Sequence, residues 1–460
     1  MVWSPHRPWW ERYQPVSYKL ISRSGSEQEF ADMVERCNKV GVRIFVDAVI
    51  NHMTGDSGIG VGIADSTFNT YEQSYPAVPY SIHDFNSKEK CGTQSGNIEN
   101  YNNVNEVRNC RLVSLLDLDQ SKSWVKDRIR DYLNHLIRLG VAGFRVDASK
   151  HMWPDELKAI VESLNDLPET HFGAGQRAFV FTEVIDMGGE PITKYEYTGI
   201  GRVTEFLYGM KLGEVFRRWN NQKLEYLQFF GESWGMLPSG YAWTFVDNHD
   251  NQRKHGGGGD MVLTFWEPRV YKMANAFMLA WPYGYTKVMS SYYWYPREDT
   301  DVGPPADSYG NTNTVPINDD GSCGGNWACE HRWRQIRNMV AFRNLVHGTA
   351  VENWWGRGDQ IAFSRGRKGF LAINNDYSQT MSGEFYTGLP EGFYCDCISG
   401  DMLGSGDNAY CTGQTLSVNS MGRTHINIRS DSENPMIAIH VDYKLGSKRG
   451  NIPTRRNGGK

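Results

Sequence analysis

The stretch VAGFRVDASKH, residues 141–151, decides the fold class of this 460-residue chain. It comes directly after a helical pattern over 122–139 that ends at Gly140. A mostly apolar strand that follows a helix at once is typical of a buried strand in a parallel sheet. Asp147 stands at the end of this strand, where a carboxylate is costly unless it is used or paired. The stretch therefore predicts a parallel α/β fold with polar side chains at the C-terminal ends of its strands.

The same helix and strand unit recurs along the chain. A helix over 26–40, with a capping box of Ser26 and Glu29, precedes the strand VRIFVDAVINH, and a helix over 155–164 precedes AFVFTEVID. The remaining strands are VTEFLYG, AWTFVDNHD and YTKVMSS, with helices around 211–219, over 269–280 and over 331–346. This alternation predicts a (β/α)8 TIM barrel, whose active site lies at the C-terminal ends of the strands. Six strands are visible, so two are missing from the predicted barrel.

Two segments depart from the alternation and divide the chain into domains. Residues 51–118 are rich in Asn, Ser, Gly and Tyr, and we interpret them as a loop-rich inserted domain. From 350 to 445 short strands alternate with Gly, Asn and Asp, which predicts a C-terminal all-β domain, either a sandwich or a barrel. The catalytic barrel would then comprise 1–50 and 119–349. Residues 446–460 are basic and Gly-rich, and we expect a disordered tail.

The composition excludes some classes of partner and favours another. The net charge of −5 implies no general attraction to nucleic acid or to an acidic membrane. No apolar run approaches the roughly 20 residues that span a bilayer, and no signal peptide is visible. The chain contains 15 Trp, 24 Tyr and 20 Phe. Because aromatic faces stack on the C–H faces of sugars, this content makes a carbohydrate site a candidate.

Eight cysteines leave the redox compartment open at this stage. None has zinc-finger spacing, and three pairs, 91/110, 323/329 and 395/411, could each close a short loop. Such pairs suit a secreted, oxidised protein. Eight reduced thiols in a cytosolic protein are the alternative.

Three predicted strands end in carboxylates. These are Asp147, Glu183, and the pair Asp247 and Asp250. Any one of them could be a capping or salt-bridged acid, but several at one face of a barrel favour glycoside hydrolysis. That reaction needs an ionised carboxylate as nucleophile and a protonated carboxyl as general acid.

Four segments resemble the signature segments of animal alpha-amylases. They are DAVINHM, GFRVDASKHMW, TEVIDMGGEP and FVDNHDNQR, and RPWWERYQPVSYKL and EHRWRQIRNMV are similar to the same family. The similarity runs from about residue 5 to residue 445. It implies an endo-acting, retaining enzyme that cuts α-1,4-glucosidic bonds in starch, glycogen and malto-oligosaccharides, and it implies a Greek-key topology for the C-terminal domain.

The resemblance also implies a role for each matching residue. Asp147 matches the nucleophile, Glu183 the general acid/base, and Asp250 the third carboxylate, which holds sugar hydroxyls. The matching substrate-binding residues are Trp9, Trp10, Tyr13, Gln14, His52, Tyr101, Lys150, His151, Ile185, Glu190, His249 and His255.

Calcium and chloride are the two implied cofactors. Asn51, Arg108, Asp117 and His151 match the calcium ligands, with the arginine and the histidine contributing backbone carbonyls. The implied chloride site consists of Arg145, Asn248 and Lys287. An anion there would favour the protonated form of Glu183. Lysine stands where the family usually has arginine, so we expect weaker chloride binding, or a lysine charge that makes chloride dispensable.

The family pattern further implies that the first two barrel strands and the helix between them have no counterpart here. The aromatic stretch at Trp9 and Trp10 would then come first because the chain starts in mid-barrel. The family would pair Cys91 with Cys110, Cys323 with Cys329 and Cys395 with Cys411. Cys37 and Cys397 would be left over, because the partner of Cys37 lies in the absent segment.

Three hypotheses follow for the function. The leading one is a secreted alpha-amylase that is monomeric in its full-length form and binds neither nucleic acid nor membrane. The second is a truncated or inactive amylase-like protein that binds glucan. The third is a glucosidase or transglycosylase on the same fold. With two strands absent, we expect residues 1–460 to be aggregation-prone and poorly active.

Overall fold

Two compact units account for the described part of the chain. The computed structural model describes residues 1–55 and 58–446. Unit 1 comprises Met1–Thr204 together with Tyr292–Val315. Unit 2 comprises Glu205–Ser291 together with the described residues from Pro316 onward. The tail predicted over 446–460 lies, beyond Gly446, outside the described residues.

The first unit contains helices α1–α6 and strands β1–β8, and the second contains α7–α9 and β9–β20. The helices are α1 (Glu27–Lys39), α2 (Lys88–Cys91), α3 (Val104–Asn109), α4 (Ser123–Arg138), α5 (Pro154–Glu162), α6 (Glu169–Phe172), α7 (Phe206–Arg217), α8 (Pro268–Ala280) and α9 (Arg334–Leu345). The strands are β1 (Phe45–Ala48), β2 (His52–Met53), β3 (Ile59–Val61), β4 (Thr67–Asn69), β5 (Leu116–Asp117), β6 (Gly143–Val146), β7 (Phe179–Thr182), β8 (Arg202–Thr204), β9 (Ala242–Thr244), β10 (Tyr285–Thr286), β11 (Val351–Arg357), β12 (Gln360–Arg365), β13 (Gly369–Asn374), β14 (Met381–Tyr386), β15 (Gly392–Cys395), β16 (Met402–Leu403), β17 (Tyr410–Cys411), β18 (Thr415–Val418), β19 (Arg423–Ile428) and β20 (Met436–His440).

Unit 1 is built on four parallel strands in the order β1, β6, β7, β8. The register pairs Asp47 with Arg145, and Val146 with Thr182. All four residues of β6 are buried, as expected for a parallel strand covered on both faces. Because parallel strands end at the same edge, the residues that follow β6 and β7 are brought together there. The predicted parallel strands and their order in unit 1 are confirmed.

The helix α1 forms as its sequence predicts. Ser26 accepts a hydrogen bond from the N–H of Glu29, and the Glu29 side chain accepts one from the N–H of Ser26. This capping box satisfies two amide groups that have no partner within the helix. Gly41, with φ of +77°, follows the C-terminal end, where a left-handed residue stops the helix at low cost.

One predicted strand is half wrong. The sequence VTEFLYG predicts a strand, yet only its first two residues belong to β8, and α7 starts at Phe206 rather than near 211. The Glu205 side chain accepts a hydrogen bond from the N–H of Leu207 and starts the helix there. Gly213 lies so close to the backbone that an added Cβ would come within 1.7 Å of the Met261 carbonyl oxygen. This close backbone contact requires glycine at position 213 and lets α7 pack tightly there.

Unit 2 joins two parallel strands, β9 and β10, to an all-β region. The sheet β11-β12-β13-β20 is antiparallel, and β14 pairs with β19, β15 with β18, and β16 with β17. A core of apolar side chains fills the region, including Phe370, Tyr394, Ile426 and Ile439. The predicted all-β domain is confirmed. In β11 a register shift and the left-handed Asn353 (φ +54°) break the alternation of side chains.

The inserted segment after β1 is built mainly from loops and short pairs. In it β2 pairs with β5 and β3 with β4, both antiparallel. The three expected disulfides are present, Cys91–Cys110, Cys323–Cys329 and Cys395–Cys411, and they favour an oxidising compartment. Cys37 and Cys397 carry no disulfide. Across residues 1–55 and 58–446, no helix has the length and apolar character that crossing a membrane requires.

Candidate active site

One arginine in unit 1 contacts three carboxylates at the ends of adjacent strands. The Arg145 guanidinium lies 2.5 Å from Asp47 Oδ1, 2.9 Å from Asp147 Oδ1 and 2.6 Å from Glu183 Oε1. Asp147 directly follows β6, and Glu183 directly follows β7. The parallel register of β1, β6 and β7 therefore brings the two predicted reacting carboxyls to a single cation.

The cluster is mostly shielded from water. The side chains of Arg145, Asp147 and Glu183 are 9%, 10% and 7% exposed, whereas that of Asp47 is 34% exposed. Burial by itself would lower the pKa of Arg145, but the negative charges of Asp47 and Glu183 raise that pKa well above its usual value. The guanidinium is thus held permanently positive between the carboxylates.

A strained turn after Asp147 adds a second contact to Glu183. Ala148 adopts a left-handed conformation with φ of +48°. Its backbone N–H donates to Glu183 Oε2 at 3.0 Å. A non-glycine residue in this conformation is disfavoured and persists only where the surrounding structure holds it. The two oxygens of Glu183 are therefore fixed from two sides, by Ala148 and by Arg145.

Aromatic and polar residues of the N-terminal stretch lie beside this cluster. The Tyr13 hydroxyl donates to Asp47 Oδ2 at 2.7 Å. His52 Nε2 lies 3.0 Å from the carbonyl oxygen of Tyr13, and burial lowers the pKa of His52 to about 4. The histidine is therefore neutral at pH 7. Trp9 and Tyr13 meet edge to face, with ring centroids 5.9 Å apart, and Gln14 accepts a hydrogen bond from the N–H of Gly55.

A second group of predicted binding residues surrounds Lys150. Its Nζ donates to the Ile185 carbonyl oxygen at 2.9 Å and forms an ion pair with Glu190. The same ammonium lies 5.6 Å from the centroid of the Tyr101 ring, which is 41% exposed. Tyr101 also meets His151 edge to face. These contacts bring together five predicted binding residues, namely Tyr101, Lys150, His151, Ile185 and Glu190.

Hydrogen bonds in unit 1 bring the predicted calcium ligands close to one another in two pairs. The Leu118 N–H donates to the Asn51 carbonyl oxygen where β2 pairs with β5, which places Asn51 near Asp117. His151 Nδ1 lies 3.0 Å from the carbonyl oxygen of Val107, the residue before Arg108. Burial raises the pKa of Asp117 well above its usual value. No part of the described chain offers a cluster of three or more His, Cys, Asp or Glu side chains for a metal.

The predicted residues of unit 2 lie mostly on one turn after β9, whereas Trp10, in unit 1, lies in the short helix Trp9–Tyr13. Asn248 Oδ1 accepts hydrogen bonds from the N–H groups of Asp250 and Asn251, at 3.1 and 2.8 Å. The His255 N–H donates to the Asp250 carbonyl oxygen, and His249 Nε2 lies 3.5 Å from Asp250 Oδ2. The backbone of this turn is therefore fixed around Asp250 by local hydrogen bonds.

Asp247 differs from the other strand-ending carboxylates. It is 1% exposed, and its Oδ1 accepts a hydrogen bond from the Tyr271 hydroxyl at 2.7 Å. Burial and the charge of Glu330 raise the pKa of Asp247 well above its usual value, against the opposing effect of Lys287. The buried hydrogen bond to Tyr271 indicates a structural role for this acid.

Sequence reasoning did not assign Asp47 to the site, although the structure places it on Arg145. The signal was present in the sequence, because Asp47 ends an apolar strand in the same way as Asp147 does. Its partner could not be read from the sequence, since only the register of β1 on β6 sets it opposite Arg145.

Two carboxyls joined by one buried cation at the ends of parallel strands match what glycoside hydrolysis requires. Comparison with known proteins agrees with this chemistry. A family model for the catalytic domain of alpha amylase matches residues 11–286, and a model for the alpha amylase C-terminal all-beta domain matches residues 354–442.

Similar proteins come from several animals. Human alpha-amylase 2B is 55% identical over 455 residues, which cover 96% of this chain and 87% of the relative. An alpha-amylase of Oryzias latipes is 54% identical over 97% of this chain and 88% of its own. The solved structure of a mutant alpha-amylase I from Eisenia fetida in complex with maltohexaose matches with a TM-score of 0.89 and 48% identity, over 94% of this chain and 88% of that one. The chain belongs to the alpha-amylase family.

Proposed function

We propose that this protein is an endo-acting alpha-amylase that hydrolyses internal α-1,4-glucosidic bonds of starch, glycogen and malto-oligosaccharides. The observation that carries the proposal is the single Arg145 guanidinium that contacts both Asp147 and Glu183. One guanidinium spanning both carboxyls favours the short separation of a retaining enzyme over the wider one that an inverting enzyme needs to admit water.

In the proposed mechanism Asp147 attacks the anomeric carbon and forms a glycosyl-enzyme intermediate. Glu183 first protonates the leaving oxygen and then, as a base, takes a proton from the attacking water. The contact with Arg145 holds the Asp147 carboxyl in place, and the Ala148 N–H orients Glu183. Asp250, in unit 2, would hold sugar hydroxyls and favour the distorted ring.

Substrate binding is assigned by proposal to the residues that match the family pattern. Those in unit 1 are Trp9, Trp10, Tyr13, Gln14, His52, Tyr101, Lys150, His151, Ile185 and Glu190, and those in unit 2 are His249 and His255. The exposed ring of Tyr101 supplies an apolar face for a sugar, and the neutral His52 suits hydrogen bonding to an uncharged ligand.

Asn51, Asp117 and the backbone carbonyls of Arg108 and His151 would hold calcium. Asn51 Oδ1 is buried and has no hydrogen-bond partner among the described residues, which suits a cation ligand. The Arg108 side chain contains no oxygen and is paired with Glu196 at 2.7 Å, so the backbone carbonyl is the oxygen that this residue can offer. An all-oxygen donor set fits a hard cation such as calcium. Bound there, the ion would stabilise the inserted segment.

Chloride would be held by Arg145, Asn248 and Lys287. A guanidinium, an amide NH2 and an ammonium all donate hydrogen bonds, as an anion requires. Because the oxygen of the Asn248 side chain accepts two backbone N–H groups, its NH2 is the group of this side chain that could face an anion. The bound anion would supply negative charge that offsets the pull of Arg145 on Glu183.

We also propose that the protein acts outside the cell. Three disulfides support an oxidising compartment. Relatives named pancreatic alpha-amylase, from human and ostrich, are consistent with a digestive secretion.

Replacing the general acid tests the proposal. Glu183→Gln keeps the size of the side chain and an oxygen for the Ala148 N–H, but it cannot protonate a leaving group. Starch hydrolysis should fall by at least about 10²–10⁴-fold while starch binding survives. The exposed Glu298 provides a matched control, because Glu298→Gln should leave hydrolysis unchanged. Near-normal hydrolysis by Glu183→Gln would show that another group is the acid.

A further inference from the structure

A groove of about 400 Å³ lies on the surface of unit 2 and shares no residue with the candidate active site. Its aromatic lining is Trp219 and Tyr377, and its polar lining is Arg217, Glu267 and Arg269. We call it the Trp219–Tyr377 groove. The volume is in the range of small-molecule sites, which combine apolar surface with a few polar groups.

A strained segment presents Trp219 to solvent. Arg218, Asn220 and Asn221 adopt left-handed conformations with φ of +58°, +52° and +59°. Trp219 sits between them and is 41% exposed, although its large ring would gain from burial. Non-glycine residues rarely adopt this conformation, and they cluster at binding sites when they do. The disfavoured backbone conformation of the segment directly after α7 therefore keeps the indole ring of Trp219 exposed to solvent.

Tyr377 stands on a loop between β13 and β14 that is firmly attached to α7. The ring is 52% exposed. The side chain of Asn375 donates to the Phe216 carbonyl oxygen at 2.8 Å in a buried contact. The Arg218 guanidinium lies 3.8 Å from the Tyr377 ring centroid. Both aromatic residues of the groove are thus fixed relative to the end of the same helix, so the groove is formed before any ligand binds.

The polar side chains of the groove are hydrogen-bonded within the protein. Arg217 forms an ion pair with Glu267, and Arg269 donates to the carbonyl oxygens of Ser430 and Ser432 at 2.9 and 3.1 Å. Both lining guanidinium groups are therefore held in place before a ligand binds. The planar side chains of Arg217 and Glu267 still offer donor and acceptor atoms at the surface.

We propose that the Trp219–Tyr377 groove is a second binding site for α-glucan chains. The guanidinium of Arg217 lies 5.0 Å from the Trp219 ring centroid, and that of Arg269 lies 5.2 Å from the Tyr377 centroid, so a sugar would meet the exposed remainder of each ring. Exposed aromatic surface that accepts the C–H faces of sugars, beside polar groups that accept and donate to hydroxyls, suits a neutral carbohydrate. This proposal rests on the proposed function, since a polymeric substrate is long enough to engage a site that performs no chemistry. The groove would hold the enzyme on insoluble or branched glucan.

Granule binding tests the groove in the full chain. All proteins carry Glu183→Gln so that starch granules stay intact during the measurement. Trp219→Ala with Tyr377→Ala should weaken binding at least about five-fold, the ratio for loss of one well-placed aromatic contact. Trp219→Phe with Tyr377→Phe keeps both rings and should bind within about two-fold of the parent. Tyr410→Ala, at another exposed tyrosine of unit 2, should have no effect.

A short chromogenic maltotrioside separates the groove from the active site. With Glu183 restored, the double alanine variant should hydrolyse this substrate with an unchanged kcat/KM. Equal granule binding by parent and double alanine variant would overturn the proposal, as would parallel losses of granule binding and maltotrioside hydrolysis. Failure of every variant to hydrolyse any glucan would contradict the proposed function alone, because granule binding would still report on the groove.

Discussion

Individual buried residues set how the molecule responds to pH. His440, at the end of β20, is 2% exposed, and neither ring nitrogen has a hydrogen-bond partner within the described residues. Burial lowers the pKa of His440 to about 3, against about 6.5 in the unfolded chain. Between these values the unfolded state binds the proton and the folded state does not. The contribution of His440 to the free energy of unfolding is therefore fully retained above about pH 6.5, and it is lost progressively as the pH falls toward 3.

The low pKa of His440 predicts a measurable dependence of the free energy of unfolding on pH. At pH 5 the neutral His440 should reduce the free energy of unfolding by about 2 kcal/mol relative to pH 7.5. His440→Phe should remove that part of the pH dependence, as measured by denaturant unfolding at both pH values. The exposed His347 is the control, and His347→Phe should leave the pH dependence as it is. An unchanged slope in His440→Phe would show that this histidine does not stay neutral in the fold.

At the scale of elements, boundaries set by local side-chain chemistry are easier to predict from the sequence than boundaries set by strand pairing. The capping box at Ser26 and Glu29 is local chemistry, so α1 starts where the sequence indicates. The predicted strand over 285–291 shrinks to Tyr285–Thr286, and the apolar residues Val288 and Met289 beyond it are only partly buried, because an apolar run in the sequence does not show where strand pairing stops. Register is equally invisible in the sequence, which is why Asp47 was not assigned to Arg145 although Asp147 and Glu183 were chosen.

The cap of α1 should contribute measurably to stability. Ser26→Ala removes the oxygen that accepts from the Glu29 N–H, and loss of a serine cap typically costs about 1 kcal/mol. Urea unfolding should show this decrease, with no change in the denaturant dependence. Ser417→Ala is a matched control, because Ser417 is an exposed serine on β18 outside any cap. Equal midpoints for the two variants would mean that α1 is held by its packing alone.

At the scale of the whole molecule, one edge of the parallel sheet in unit 1 is exposed and can promote self-association. Strand β1 lies at that edge, with Phe45 41% exposed and the preceding Val42 52% exposed. A cavity of about 450 Å³ beside it has a mixed lining, with Val46 and Leu136 among its apolar side chains and Arg12 and Glu29 among its charged ones. Unpaired strand edges next to apolar surface invite pairing with another chain.

We therefore expect polypeptide 1–460 to self-associate as its concentration rises. Val42→Lys places a charge beside the edge and should shift the sedimentation profile toward monomer. Met421→Lys adds the same charge at an exposed apolar position in unit 2 and should leave association unchanged. A monomeric parent at every concentration would contradict this reading of the edge.

The central claim is that Asp147 and Glu183, both on Arg145, cleave α-glucan by double displacement. The most direct measurement is proton NMR of the sugar released from starch in the first minutes, before mutarotation equilibrates the new reducing end. Two successive inversions at the anomeric carbon predict the α-anomer. Release of the β-anomer would contradict the account, because it would require direct attack by water with the two carboxyls further apart.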